Sequence, residues 1–177
     1  IGKPGYGWQA RIVDEKGRDV PQGQNGEIIV KGAGVMREYY KNQQKTAETL
    51  KDGWLFTGDI GRIDEDGFFW ITDRKKDVII TGGENIYPVE IEEILHNHPG
   101  IYDVAIIGIP DERLGEIAAA VVDSKPGVTL TEAEVIDFCA QTMAHFKRPR
   151  RIFFDKVPRN PTGKIEKPKL REKYKNT

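Results

Sequence analysis

FTGDIGRIDEDGFFWITDRKKDVIITGGENIYPVEIE, Phe56 to Glu92, is where the chain changes character. Before Asp73 its apolar residues come in short runs punctuated by Gly58, Gly61 and Gly67. These read as strands at Trp54–Phe56, Gly61–Ile63 and Phe68–Thr72, the last two joined by a turn at Asp64–Gly67. Asp73-Arg-Lys-Lys-Asp77 places five charges in a row between apolar segments, which reads as an exposed connection and a domain boundary. Beyond it, Val78–Thr81 and Glu84–Ile86 flank Gly82-Gly83 as a small hairpin. Pro88 then opens a helix whose apolar stripe is Val89, Ile91, Ile94 and Leu95, ending near Asn97 or His98.

Upstream of this stretch the chain is β-rich. Gln9–Asp14 alternates, Glu15-Lys-Gly17 turns, and Glu27–Lys31 is a second apolar run. Val35–Leu50 is polar, with a helix expected over Thr46–Leu50. Downstream, Val104–Ile109, Ala118–Val122 and Arg151–Phe154 are expected strands, the first two separated by a loop at Pro110–Gly115. Thr131, with Glu134 three residues later, caps a helix running to about Met143, and a basic helix starts near Lys167. The pattern is α+β. Residues 1–75 read as the partial, barrel-like β-rich end of a larger domain. Residues 77–177 read as a small α+β domain with a roughly three-stranded sheet and packed helices, and the hinge falls at Lys76.

The 177 residues carry a net charge of −1 with 31% charged residues, an ordinary composition for a globular protein without a membrane span. The single cysteine, Cys139, rules out an internal disulfide; it fits a small core position in a helix and a reducing, cytoplasmic setting. Charge is unevenly placed: the last 33 residues hold twelve Lys and Arg against three acids, about +9, while the remainder carries about −10. Such a tail is read as a solvated helical face, an anionic small-molecule site or a nucleic-acid contact. The aromatic residues are not interleaved with it, as base stacking would require.

Several residues are candidates for chemistry. In Thr57-Gly-Asp59 a glycine turn presents an aspartate able to accept two hydrogen bonds from vicinal hydroxyls; the same tripeptide is equally a turn aspartate bonded to its own backbone. Arg74 offers a planar fork for ribose or phosphate oxygens, or is a surface arginine. Pro158-Arg-Asn-Pro-Thr-Gly-Lys164 is a stiff entry and a flexible exit that aims one long cation, suited to charge developing on an attacked phosphate. It lacks the glycine spacing of a P-loop. Gly82-Gly83 is either a turn needing positive φ or a backbone that lets a thin ligand pass. His96, His98 and His145 make no metal-ligand spacing with Cys139 or each other.

Taken in order, these pieces resemble the adenylate-forming superfamily, in particular the acyl-CoA synthetases. The resemblance rests on Gly2-Lys-Pro-Gly, Gly26-Glu-Ile, Gly32-Ala-Gly-Val-Met, Tyr39-Tyr40 with Thr46-Ala, Trp54-Leu-Phe-Thr-Gly-Asp59, Asp73-Arg74, Gly82–Glu92 and Pro158–Lys164. It implies a two-step reaction. A carboxylate, by default a fatty acid, attacks the α-phosphate of ATP with Mg²⁺ assisting, giving acyl-AMP and pyrophosphate; the thiol of coenzyme A then displaces AMP. It also implies a small domain that rotates between the steps.

Carried over by resemblance, Asp59 and Arg74 bind the ribose, Lys76 is the hinge and Lys164 the adenylation lysine. Asn85 lies near the nucleotide phosphates, and Gly82 and Gly83 line the pantetheine tunnel. The basic tail becomes a candidate for the coenzyme A phosphates. Ile80 departs from the lysine that luciferases and coumarate ligases carry there. The phosphate loop, the acyl pocket and the Mg²⁺ ligands would lie upstream of Ile1, so the chain is expected to be an inactive C-terminal portion of a longer enzyme. The expected partners are a carboxylic acid, ATP, coenzyme A and that N-terminal part, with no nucleic acid. A non-catalytic nucleotide- or CoA-binding module is the competing expectation.

Overall fold

A computed structural model describes residues 1–177, which fall into two units, Ile1–Lys76 and Asp77–Thr177. In the first, β1 (Trp8–Val13), β2 (Gly26–Gly32), β3 (Leu50–Lys51), β4 (Trp54–Ile63) and β5 (Phe69–Arg74) form one antiparallel sheet in the order β1-β2-β4-β3, with β5 also on β4. Helix α1 (Gln43–Thr49) precedes β3. The alternation of β1 sends Ala10 and Ile12 to a small apolar cluster with Ile28, Val30 and Phe69.

Three local expectations change here. Helix α1 begins at Gln43 rather than Thr46, because Asn42 Oδ1 accepts from Lys45 N and caps it. β4 is continuous through Thr57-Gly58, where two strands were expected. The register with β2 slips between Glu27 and Ile29, so a bulge absorbs the extra residues and Gly58 takes φ +73°. Asp73, expected in an exposed connection, is buried and paired opposite Ile60; its carboxylate accepts from Arg74 N. The connection beyond β5 is a single 3-10 turn, Lys75–Asp77.

In the second unit, β6 (Ile79–Thr81) and β7 (Glu84–Ile86) make the hairpin, and Gly82 and Gly83 take φ +57° and +88°, the positive pair a two-residue primed turn demands. Helix α2 (Pro88–His96), β8 (Ile101–Asp111), β9 (Gly115–Ser124), α3 (Glu132–Thr142), β10 (Arg151–Phe154) and α4 (Lys167–Tyr174) complete the unit. Strand β9 is central, with β8 antiparallel along its length and β10 parallel. The hairpin joins at Thr81↔Gly115, extending the expected three strands to five.

Both faces of this sheet are covered. Val104, Ile106, Ala120 and Val122 pack with Ile91 and Leu95 of α2 and Val135 and Cys139 of α3. Ala105, Ile107, Ala119 and Val121 pack with Leu170 of α4 and with Val157 and Ile165. Burial on both sides is why β8 and β9 are continuous apolar runs rather than alternating ones. Each of the fully buried Ile91 and Leu95 side chains contributes roughly 1.5–3 kcal/mol by burial. The expected loop at 110–115 contracts to a tight turn in which Asp111 Oδ1 accepts from the backbone of Arg113 and Leu114. On α2 the stripe differs by one residue: Val89 is exposed and Glu92 is buried. The capping box of α3 is present, Thr131 Oγ1 accepting from Glu134 N and Glu134 Oε2 from Thr131 N.

Candidate functional site

In the first unit the β4–β5 register places Asp59 directly opposite Arg74, and Arg74 Nε donates to Asp59 Oδ1 at 2.9 Å. The bulge that aims Asp59 is held from beneath. Thr57 Oγ1 donates to Ile28 O at 2.7 Å and accepts from Asp59 N at 3.1 Å. Gly58 N donates to Glu27 Oε1 at 3.1 Å. Threonine, glycine and aspartate thus have separate local duties: brace, positive φ and acceptor. Asp59 Oδ2 and the terminal nitrogens of Arg74 remain available, an acceptor beside donors. Vicinal hydroxyls are complementary to that arrangement. Gly58 and Arg74 border an open cleft of about 510 Å³ that also meets Glu27, Tyr39, Lys45 and Phe56.

Glu27, which its sequence context did not single out, borders this cleft. It is buried, and its second carboxylate oxygen accepts from Lys75 Nζ at 2.7 Å. The signal was present: an acid inside the run Gly26–Val30, whose neighbours Ile28 and Ile29 are core. Lys75 is therefore tied to the first unit. On the other side of Lys76, Asp77 Oδ1 accepts from Arg171 of α4 at 2.7 Å. Lys76 itself is exposed and has no ion pair.

In the second unit the hairpin presents Gly82 and Gly83 at its turn and Asn85, exposed, opposite Ile80. A Cβ at Gly83 would meet nothing, whereas one at Gly82 would press on Leu114. Lys164 stands on a separate loop over residues 159–165. Asn160 Oδ1 accepts from Thr162 N, Thr162 Oγ1 and Lys164 N, and Asn160 N donates to Lys164 O. That loop holds its own shape, and the Lys164 side chain is exposed with no partner.

Most of the rest of the basic tail behaves differently. Lys156, Arg159, Lys167, Arg171 and Lys173 each meet an acid of the same unit. Its charge is largely neutralised internally, which weakens the tail as a phosphate platform; Arg150, Arg151 and Lys164 are exposed and make no ion pair. Burial pushes the Cys139 thiol up to about 11, consistent with its core position. Burial also pushes Asp103 upward, but the Arg159 fork, the Val104 N–H and His96 outweigh it and hold that carboxyl below the usual carboxylate range. No helix is long and apolar enough to cross a membrane.

In the first unit Asp59 and Arg74 set a carboxylate acceptor beside guanidinium donors; in the second, the Lys164 side chain is exposed and free of counter-charge. The family described as AMP-binding enzyme matches residues 1–40, and the AMP-binding enzyme C-terminal domain matches residues 90–164. The chain belongs to this adenylate-forming superfamily. It is 49% identical over 161 residues to the 3-[(3aS,4S,7aS)-7a-methyl-1,5-dioxo-octahydro-1H-inden-4-yl]propanoyl:CoA ligase of Rhodococcus jostii, covering 90% of this chain and 31% of that one. It is 44% identical over 153 residues to the long-chain-fatty-acid–CoA ligase FadD13 of Mycobacterium tuberculosis, covering 86% of this chain and 30% of that one. The crystal structure of ATP-bound MatB from Rhodopseudomonas palustris superposes with a TM-score of 0.92 at 42% identity, over 99% of this chain and 36% of that one. The chain spans about a third of the length of these relatives.

Proposed function

We propose that this chain is the C-terminal part of an acyl-CoA synthetase that converts a carboxylic acid and ATP to acyl-AMP and pyrophosphate, then transfers the acyl group to coenzyme A with release of AMP. A fatty acid is the first substrate to try, and the R. jostii and M. tuberculosis relatives, whose names specify a bicyclic propanoyl group and long-chain fatty acids, set the range. Asp59 accepts from the ribose hydroxyls and Arg74 donates to their oxygens. Lys164 places its ammonium against the α-phosphate as the carboxylate attacks and negative charge builds on the phosphoryl oxygens. Asn85 lies toward the nucleotide phosphates, and the Gly82-Gly83 turn lines the passage for the pantetheine arm of coenzyme A. Mg²⁺ is held by residues outside this chain. Lys76 is the pivot, and the tethers on Lys75 and Asp77 concentrate the dihedral change there.

The observation that carries this reading is Lys164: a cation with no acid to meet, on a loop stiffened by Asn160, in a segment whose other cations mostly have partners. The test is ATP–pyrophosphate exchange driven by fatty and aryl carboxylic acids, in the full-length protein and in the 177-residue chain. Acid-dependent exchange is expected from the former, abolished by Asp59→Ala, and none from the latter. Robust exchange by the chain alone contradicts the assignment as a part. Tight AMP binding by the chain, with no exchange in the longer protein, would make it a non-catalytic module instead.

A further inference from the structure

Residues 161–164 are exposed, and the hydrogen bonds made by Asn160 lie within the loop, so they set its shape but not its direction. Its flanks, Val157 and Ile165, rest on the apolar face of the sheet. The polar link from the loop to the sheet is Arg159. Its Nε and Nη2 each donate to Asp103 at 2.8 Å, while Nη1 donates to the carbonyl of Gly163 at 2.6 Å. One planar fork therefore spans strand β8 and the residue immediately before Lys164.

The seat of that fork is unusual. Asp103 is buried and lies opposite the buried Asp123 across the β8–β9 ladder. Two like charges on facing positions oppose sheet formation unless each is answered. Lys156 answers Asp123 at 2.9 Å and Arg159 answers Asp103, so the strand pair grips the segment on both sides of Val157-Pro158. Asp103 Oδ1 also takes the Val104 N–H at 2.9 Å and faces His96 Nε2 at 3.3 Å, which fixes the carboxylate itself.

We propose that Arg159, seated on Asp103, is a positioning residue for Lys164: by bonding β8 and the Gly163 carbonyl at once it sets the direction in which the lysine points. This rests on Lys164 being the adenylation lysine. A plain stabilising ion pair would need only a charge at 159; the rigid planar fork of a guanidinium also fixes the angle between its two acceptors, which a freely rotating ammonium does not.

The test measures acid-dependent pyrophosphate exchange and thioester formation from supplied acyl-adenylate in the full-length protein. Arg159→Met is expected to slow exchange about 10- to 100-fold, the worth of one or two charge-assisted hydrogen bonds, and to leave thioester formation within about twofold. Arg159→Lys is expected to recover most of the thermal stability lost in Arg159→Met without recovering exchange. Arg159→Met added to Lys164→Ala should slow exchange no further. Restoration of exchange by Arg159→Lys, or an undiminished rate in Arg159→Met where Lys164→Ala is impaired, overturns the positioning role. If Lys164→Ala leaves exchange intact, the reading of Lys164 fails instead. The brace is then judged by backbone NMR order parameters in the 177-residue chain. Arg159→Met is expected to lower those of residues 161–164 from about 0.85 toward 0.6, and unchanged values overturn it.

Discussion

Lys167→Met tests how the second unit is held together. Lys167 and Glu92 meet at 2.8 Å with side chains only 9% and 10% exposed. The same Glu92 oxygen accepts from Ile106 N in the middle of β8, so this pair fastens α2, β8 and α4 at one point. Removing the ammonium leaves a buried carboxylate with one backbone donor, which costs about 3–5 kcal/mol. A unit of this size loses about 4–8 °C per kcal/mol, so its melting point should fall by roughly 12 °C or more. Glu92→Gln added to Lys167→Met keeps an oxygen for Ile106 N and removes the stranded charge. The double variant should return to within about 1.5 kcal/mol of wild type.

Urea unfolding followed by far-UV circular dichroism measures this. Trp8, Trp54 and Trp70 all lie in the first unit, so their fluorescence supplies a control midpoint expected to stay in place. A loss under about 1 kcal/mol in Lys167→Met, or a double variant no better than the single, would refute the fastening role.

Proline at position 76 restricts φ to about −65° in the one residue of the connecting turn whose side chain is not tied to either unit. In the full-length protein Lys76→Pro should leave adenylation within about threefold and slow thioester formation by about 100-fold or more, measured as separate half-reactions; undiminished thioester formation would contradict the hinge. Cys139, with its thiol pushed to about 11, should resist disulfide exchange reagents at pH 8 and react fully in guanidinium. Because its folded pKa lies above the unfolded value of 9.0, the unfolded chain loses the proton first. Stability should therefore fall by roughly 2–3 kcal/mol between pH 9 and 11, a slope absent from Cys139→Ala.

The fold was legible where local chemistry and tertiary context agree. The Thr131–Glu134 capping box, the Gly82-Gly83 turn and the apolar runs of β8 and β9 all stand where their residues indicate. It was less legible where a glycine or a charge has a second role. Gly58 looks like the end of a strand, yet it enables a bulge within one because Thr57 and Glu27 satisfy the backbone around it. Asp73 sits in a run of charges and is still buried, since strand pairing with β4 carries it inward. Glu92 and Asp103 occupy core positions only because Lys167 and Arg159, distant in sequence, reach them. Long-range pairing of that kind leaves no periodic trace. Asp59 and Arg74 were each ambiguous alone; strand register makes them neighbours.

The central claim is that Lys164 serves the first chemical step and not the second. Lys164→Ala in the full-length protein, assayed for acyl-adenylate formation and separately for thioester formation from supplied acyl-adenylate, tests it most directly. Adenylation should fall by about 100- to 1,000-fold while the thioester step stays within about threefold. Equal loss of both steps, or adenylation left intact, would contradict it.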